Sequence, residues 1–61
     1  MSYTYGFECY NEINYLILRQ LAATCPYVVE IYGDKNYAVV VFNRKDVGFK
    51  FFMRVYKAWE D

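Results

Sequence analysis

The chain has 61 residues, no histidine, and seven basic against seven acidic side chains, so its formal net charge at pH 7 is zero. That length holds one domain, residues 1–61, and the balanced charge argues against a nucleic-acid partner and against nucleic-acid mimicry. Hydrophobic residues make up 57% of the chain and aromatics 23%, yet a domain this small buries only about 60% of the surface its unfolded chain exposes.

That surplus sets the main expectation. Eight tyrosines and five phenylalanines exceed what such a core can hold, so part of them must lie on a surface that a partner or a second copy covers. No apolar run approaches the length of a membrane span. The opening Met1-Ser2-Tyr3-Thr4-Tyr5 lacks the basic and apolar regions of a secretory signal, which points to the cytoplasm. Cys9 and Cys25 fit no metal-binding spacing, and without histidine there is no metal or cofactor site to expect. Two free thiols in a reducing compartment are the expectation.

In chain order, Tyr3 to Cys9 alternates with period two, placing Tyr3, Tyr5, Phe7 and Cys9 on one face of a strand, with Gly6 weakening it or marking a bulge. Asn11 is an N-cap and Glu12 suits the helix start. The helix runs over Ile13 to Ala23, with Ile13, Leu16, Ile17, Gln20, Leu21 and Thr24 on one side, and Pro26 ends it. Tyr27 to Tyr32 reads as a strand, Gly33-Asp34-Lys35-Asn36 as a turn, and Tyr37 to Phe42 as the strongest strand of the chain, apolar enough to be covered on both faces. Asn43, with Asp46 three residues on, marks a second helix start. The last third reads in two ways. The preferred one is a short helix over Arg44 to Lys50 and then a fourth strand from Phe51, because Phe, Val and Tyr favour strands. The alternative is one long helix from Arg44 to Trp59, with Lys50, Arg54 and Lys57 on its polar side. Trp59 is expected to cap the core.

The fold class is therefore α+β, a small ferredoxin-like β-α-β-β-α-(β) unit with an antiparallel sheet, or β-α-β-β-α if the C-terminal helix is long. Both helices lie on one sheet face and leave the other open. Alternation around Glu30 puts Tyr27, Val29 and Ile31 toward the core and Val28, Glu30 and Tyr32 outward. The outward set of the next strand is Tyr37, Val39 and Val41, and a fourth strand would add Phe52, Arg54 and Tyr56. Tyr32, Tyr37, Val39, Phe52, Arg54 and Tyr56 are accordingly the expected partner-binding residues, a tyrosine-rich apolar patch with one arginine.

Catalysis has little to work with. Ser2, Thr4 and Thr24 are the only hydroxyl nucleophiles besides tyrosine and no histidine can serve as their base. The carboxylates Glu8, Glu12, Glu30, Asp34, Asp46, Glu60 and Asp61 show no dyad or cage spacing. There is no glycine-rich phosphate loop. The expectation is a binding protein and not an enzyme.

Two resemblances bear on the partner. Lys35-Asn36-Tyr37-Ala38-Val39-Val40-Val41-Phe42 resembles the RNP1 segment of RNA-recognition motifs, with Asn36 in place of the glycine, Val39 in place of a stacking aromatic, and no matching segment in the first strand. That reading implies single-stranded nucleic acid. The hairpin, Asn43, a polar helix and the ending Phe51-Phe52-Met53-Arg54-Val55 resemble the second half of many short bacteriophage proteins, in which a ferredoxin-like hairpin–helix–strand unit ends in a similar segment with an aromatic where Val55 stands. This resemblance implies an accessory viral protein of the bacterial host cytoplasm. Such proteins occlude a surface of a host or defence protein, as anti-CRISPR proteins do. Homodimerisation, through the open sheet face or a strand edge, is compatible with this protein-binding reading.

Overall fold

The computed structural model describes residues 2–60, leaving Met1 and Asp61 outside, and orders them as β1 (Tyr3–Glu8), α1 (Glu12–Ala23), β2 (Val28–Gly33), β3 (Tyr37–Phe42) and α2 (Lys45–Glu60). The sheet is antiparallel with β3 in the middle, in the order β1-β3-β2. This is an α+β arrangement of the small ferredoxin-like kind, in its β-α-β-β-α form. No helix among the described residues is long and apolar enough to cross a membrane.

β1 keeps its alternation. Phe7 is buried and Tyr5 half-buried, while Thr4, Gly6 and Glu8 are exposed. In register, Tyr5 faces Val40 and Phe7 faces Ala38, so the inward sides of β1 and β3 (Ala38, Val40 and Phe42, all buried) make one continuous floor. The hairpin between β2 and β3 turns on Gly33, whose φ of +111° favours glycine. The Asp34 carboxylate then accepts the backbone N–H groups of Asn36 at 2.9 Å and Tyr37 at 3.0 Å.

Gly6 marks no bulge, its register with Val39 being unbroken, and the bulge of the sheet is in β2. Val28 faces Phe42 and Glu30 faces Val41, so Val29 is the extra residue. This reverses the inward–outward assignment before Glu30. Val28 is half-buried against the core and Val29 is exposed, while Ile31 points inward as expected. A bulge inserts one residue and flips every side chain on one side of it, which a strict period of two cannot anticipate.

Asn11 caps α1, its side chain accepting the Asn14 N–H at 2.7 Å. The inward face of that helix is rotated from the expected one. Leu18 and Ala22 are buried, with Tyr15 and Leu21 packed beside them, whereas Ile13 and Leu16 are exposed. Two polar contacts tie down the start of the helix. The Asn14 side-chain amide donates to the Cys9 carbonyl at 2.9 Å, and the Trp59 indole N–H donates to the Asn14 carbonyl at 3.0 Å. Entry into the helix is through Tyr10, at φ +70°, a left-handed conformation that is unfavourable for a bulky residue.

The expected fourth strand does not form, and residues 51–59 belong to α2. Strand propensity at Phe51, Phe52, Val55 and Tyr56 yields to packing, because the spacing of three and four places Phe51 and Val55 in the core and Phe52 and Tyr56 beside it. Phe7 lies among Phe51, Phe52, Tyr56 and Trp59 at ring-centroid distances of 6.1, 5.5, 6.2 and 6.3 Å. Trp59 caps the core, as expected. Asp46 pairs with Arg44 at 3.1 Å. Cys9 and Cys25 are free thiols, and burial pushes the Cys9 thiol pKa up.

Two outcomes follow. Gly48 is buried against the Tyr5 ring, which a Cβ would strike. Gly48→Ala, ordinarily worth about 1 kcal/mol in a helix interior, should therefore lower the denaturation midpoint, and in a Tyr5→Ala background the same change should be neutral or stabilising. Asp34 is held below its ordinary pKa of 3.8 by the backbone N–H groups of Tyr37 and then Asn36. A depressed folded-state pKa gives stability that is present above the unfolded value and lost as pH falls through the folded one. An NMR titration should place the Asp34 midpoint below that of an unstructured aspartate, with amide protection at Asn36 and Tyr37 fading through the same range. A midpoint at or above 3.8 would contradict the turn geometry.

Candidate protein-binding surface

Both helices pack on the side of the sheet that carries Phe7, Val40 and Phe42, so the opposite side has no helix over it. Its residues are Thr4, Gly6 and Glu8 from β1, Tyr37, Val39 and Val41 from β3, and Glu30 and Tyr32 from β2. They line up across the strands in register, with Gly6, Val39 and Tyr32 in one row, Thr4, Val41 and Glu30 in the next, and Glu8 beside Tyr37. Val39 and Val41 are half-buried, and Tyr32 and Tyr37 remain 51% and 50% exposed.

Tyr37 does not stand free. Its ring and hydroxyl lie over Gly6 on the neighbouring strand, in the space a Cβ would need. The glycine thus serves close approach, and the aromatic ring covers the backbone that the glycine leaves bare. A tyrosine seated on a neighbouring strand presents an amphipathic side chain at little further entropic cost. The rim is acidic. Glu8 and Glu30 flank the apolar centre at its two edges, and no lysine or arginine lies on any of the three strands.

Three of the expected partner-binding residues, Tyr32, Tyr37 and Val39, share this face. The other three lie elsewhere because their segment is helical. Phe52 and Tyr56 are half-buried on α2, over Phe7 at 5.5 and 6.2 Å between ring centroids. Arg54 lines an open groove of about 480 Å³ between the end of α1, the start of β2 and the first turns of α2. The Arg44 guanidinium in that groove stacks 5.2 Å from the centre of the Tyr27 ring. The sequence patch is therefore split between two layers of the molecule.

The α2 segment adds exposed apolar side chains of its own. Phe49 and Met53 are 60% and 57% exposed, beside Phe52 and Tyr56. These four recur at spacings of three and four, and a helical reading of the last third is the signal that finds them. Glu8 and Glu30 are legible from alternation alone once the open face is known.

Gly6→Ala tests how the face is built. The added methyl should displace the Tyr37 ring, shifting the Tyr37 ring resonances strongly while those of Phe7 and Phe42, on the other side of the sheet, hardly move. Unmoved Tyr37 resonances would rule out the packing described. No protein-family model, curated protein or solved structure matches this chain.

Proposed function

We propose that this chain is a non-enzymatic protein-binding module that docks through the outer face of its sheet, with Tyr32, Tyr37 and Val39 at the centre. The observation that carries the reading is a sheet face without a helix over it that presents tyrosines and valines inside an acidic rim. A specific interface of ordinary size takes about 800 Å² from each partner. Against a total accessible surface of 4357 Å² that is a large share, enough to take in the rim as well as the centre. Glu8 and Glu30 then suit a partner whose own rim is basic.

The most concrete form of the proposal is an inhibitor of bacteriophage type, acting in the cytoplasm of a bacterial host by occluding a surface of a host or defence protein, in the manner of an anti-CRISPR protein. The resemblance of the hairpin and the following helix to short phage proteins supports it. Because Phe51 to Val55 is helical, that resemblance rests on the hairpin–helix part alone. The single-stranded nucleic-acid reading gains an exposed Tyr37 on the central strand. It loses more, since β1 offers no aromatic on this face and Glu8 and Glu30 there repel phosphates, leaving Lys35 of the hairpin turn as the cation beside Tyr37.

The test is capture from bacterial lysate on immobilised protein, followed by affinity measurement with the recovered partner. Tyr32→Ala together with Tyr37→Ala should weaken that affinity at least about tenfold, with an unchanged circular dichroism spectrum. Wild-type affinity in the double variant would exclude the outer face. Binding to single-stranded oligonucleotides that disappears with added salt and with Lys35→Ala would favour the nucleic-acid reading.

A further inference from the structure

We infer that the free edge of β1 and the outward flank of α2 form one continuous surface that pairs with a second copy of this chain about a two-fold axis, joining two three-stranded sheets into one of six strands. The inference does not depend on the outer sheet face, which such pairing leaves open.

β1 is an edge strand, bonded only to β3. The Cys9 N–H donates to the Asn36 carbonyl at 3.0 Å, and Phe7–Ala38 and Tyr5–Val40 follow in the same register. Antiparallel pairs alternate, so the backbone groups of Tyr3, Tyr5 and Phe7 point to β3 and those of Thr4, Gly6 and Glu8 point to the free edge. Edge strands are commonly protected by lysine, proline or a bulge. β1 has no lysine or proline, and the bulge of this sheet is in β2.

Directly beside that edge lies the flank of α2. Lys45, Phe49, Phe52, Met53, Tyr56 and Glu60 fall on one side of the helix at spacings of three and four. Phe52 rests against Tyr5 at 6.0 Å and Tyr56 against Phe7 at 6.2 Å between ring centroids, so this side adjoins β1. Its centre is apolar and exposed at Phe49 and Met53. Its ends carry opposite charges, Lys45 at the start and Glu60 at the finish. The Arg44–Asp46 contact is the only ion pair among the described residues and involves neither.

A second copy fits because the surface is its own complement. A two-fold axis sets the helices antiparallel, apolar centre on apolar centre, with Lys45 of each copy facing Glu60 of the other. Antiparallel self-pairing of β1 about Tyr5 lets Thr4 and Gly6 exchange backbone hydrogen bonds across the axis, sets Tyr3 against Phe7 on the inner face, and keeps Glu8 away from its counterpart. The spacing agrees as well. Strands lie about 4.8 Å apart, so a helix riding over β1 and β3 sits about 5 Å from the axis and the two copies of α2 lie about 10 Å apart, at the upper end of ordinary helix packing. A foreign strand could satisfy the edge, but it would leave the flank of α2 and its paired end charges unmatched.

Sedimentation equilibrium over a micromolar to millimolar range reads the outcome on the intact chain. The expected species is a dimer of the 7.4 kDa chain. Lys45→Glu alone and Glu60→Lys alone should each weaken dimerisation about three- to tenfold at low salt, because each creates two like-charge contacts. The two changes in one chain should restore affinity to within about twofold, since the exchanged pair forms again. Thr4→Pro removes an edge donor without touching a β1–β3 hydrogen bond and should abolish the dimer in protein that remains folded by circular dichroism. A wild-type chain that stays monomeric at millimolar concentration overturns the inference. So does a double charge variant as weak as the single ones, which does not depend on how Thr4→Pro folds.

Discussion

The structure depends on the enclosure of Phe7 by aromatic side chains of α2. Phe7 stands on an edge strand, where a large apolar residue would ordinarily be half exposed, yet it is fully buried because Phe51, Phe52, Tyr56 and Trp59 surround it. No single contact in this cluster is strong. Aromatic pairs contribute about 0.5–1.5 kcal/mol each beyond area burial, but several converge on one ring. The cluster sets where α2 lies, and α2 then covers β1 and β3. At its far end the Trp59 indole is tied to the start of α1 through the Asn14 carbonyl, and Asn14 in turn to the end of β1 through the Cys9 carbonyl. One corner of the molecule thus fixes three elements by directional bonds, while the rest of the core is held by apolar contact.

Placing both helices on one side has a direct functional consequence. No helix among the described residues covers the other side of the sheet, so its valines and tyrosines stay at the surface. The aromatic side chains are accordingly spread between core and surface. Phe7, Phe42 and Phe51 fill the core, Tyr32 and Tyr37 lie on the open sheet face, and Phe49 with Tyr10 remains on the margin of the helical layer. Tyr37 shows how an exposed aromatic can still be ordered, since the missing side chain of Gly6 gives its ring a seat on the neighbouring strand.

The helical layer is asymmetric in a comparable way. The side of α2 toward α1 carries Lys50 and Arg54, which border the groove with Arg44 and Asp46. The side toward the β1 edge carries Phe49, Phe52, Met53 and Tyr56 between Lys45 at the start and Glu60, with Lys57 beside it, at the finish. A helix that only closed a core would be expected to place polar residues on both flanks. Here one flank is polar and the other adjoins the free edge of β1.

Residue pattern by itself determined β1, α1, the β2–β3 hairpin, the Asn11 cap and the open sheet face, together with Tyr32, Tyr37 and Val39 as its members. These follow from alternation, capping and turn chemistry, all local properties of adjacent residues. Tertiary structure decided the rest. Phe51 to Trp59 has strand propensity and helical spacing at once, and the helix forms because only that period places Phe51 and Val55 in the core with Phe52 and Tyr56 against Phe7. The same choice removed Phe52, Arg54 and Tyr56 from the sheet face. The bulge at Val29 and the burial of Leu18 and Ala22 on α1 were equally beyond local pattern, because each depends on packing against elements distant in the chain.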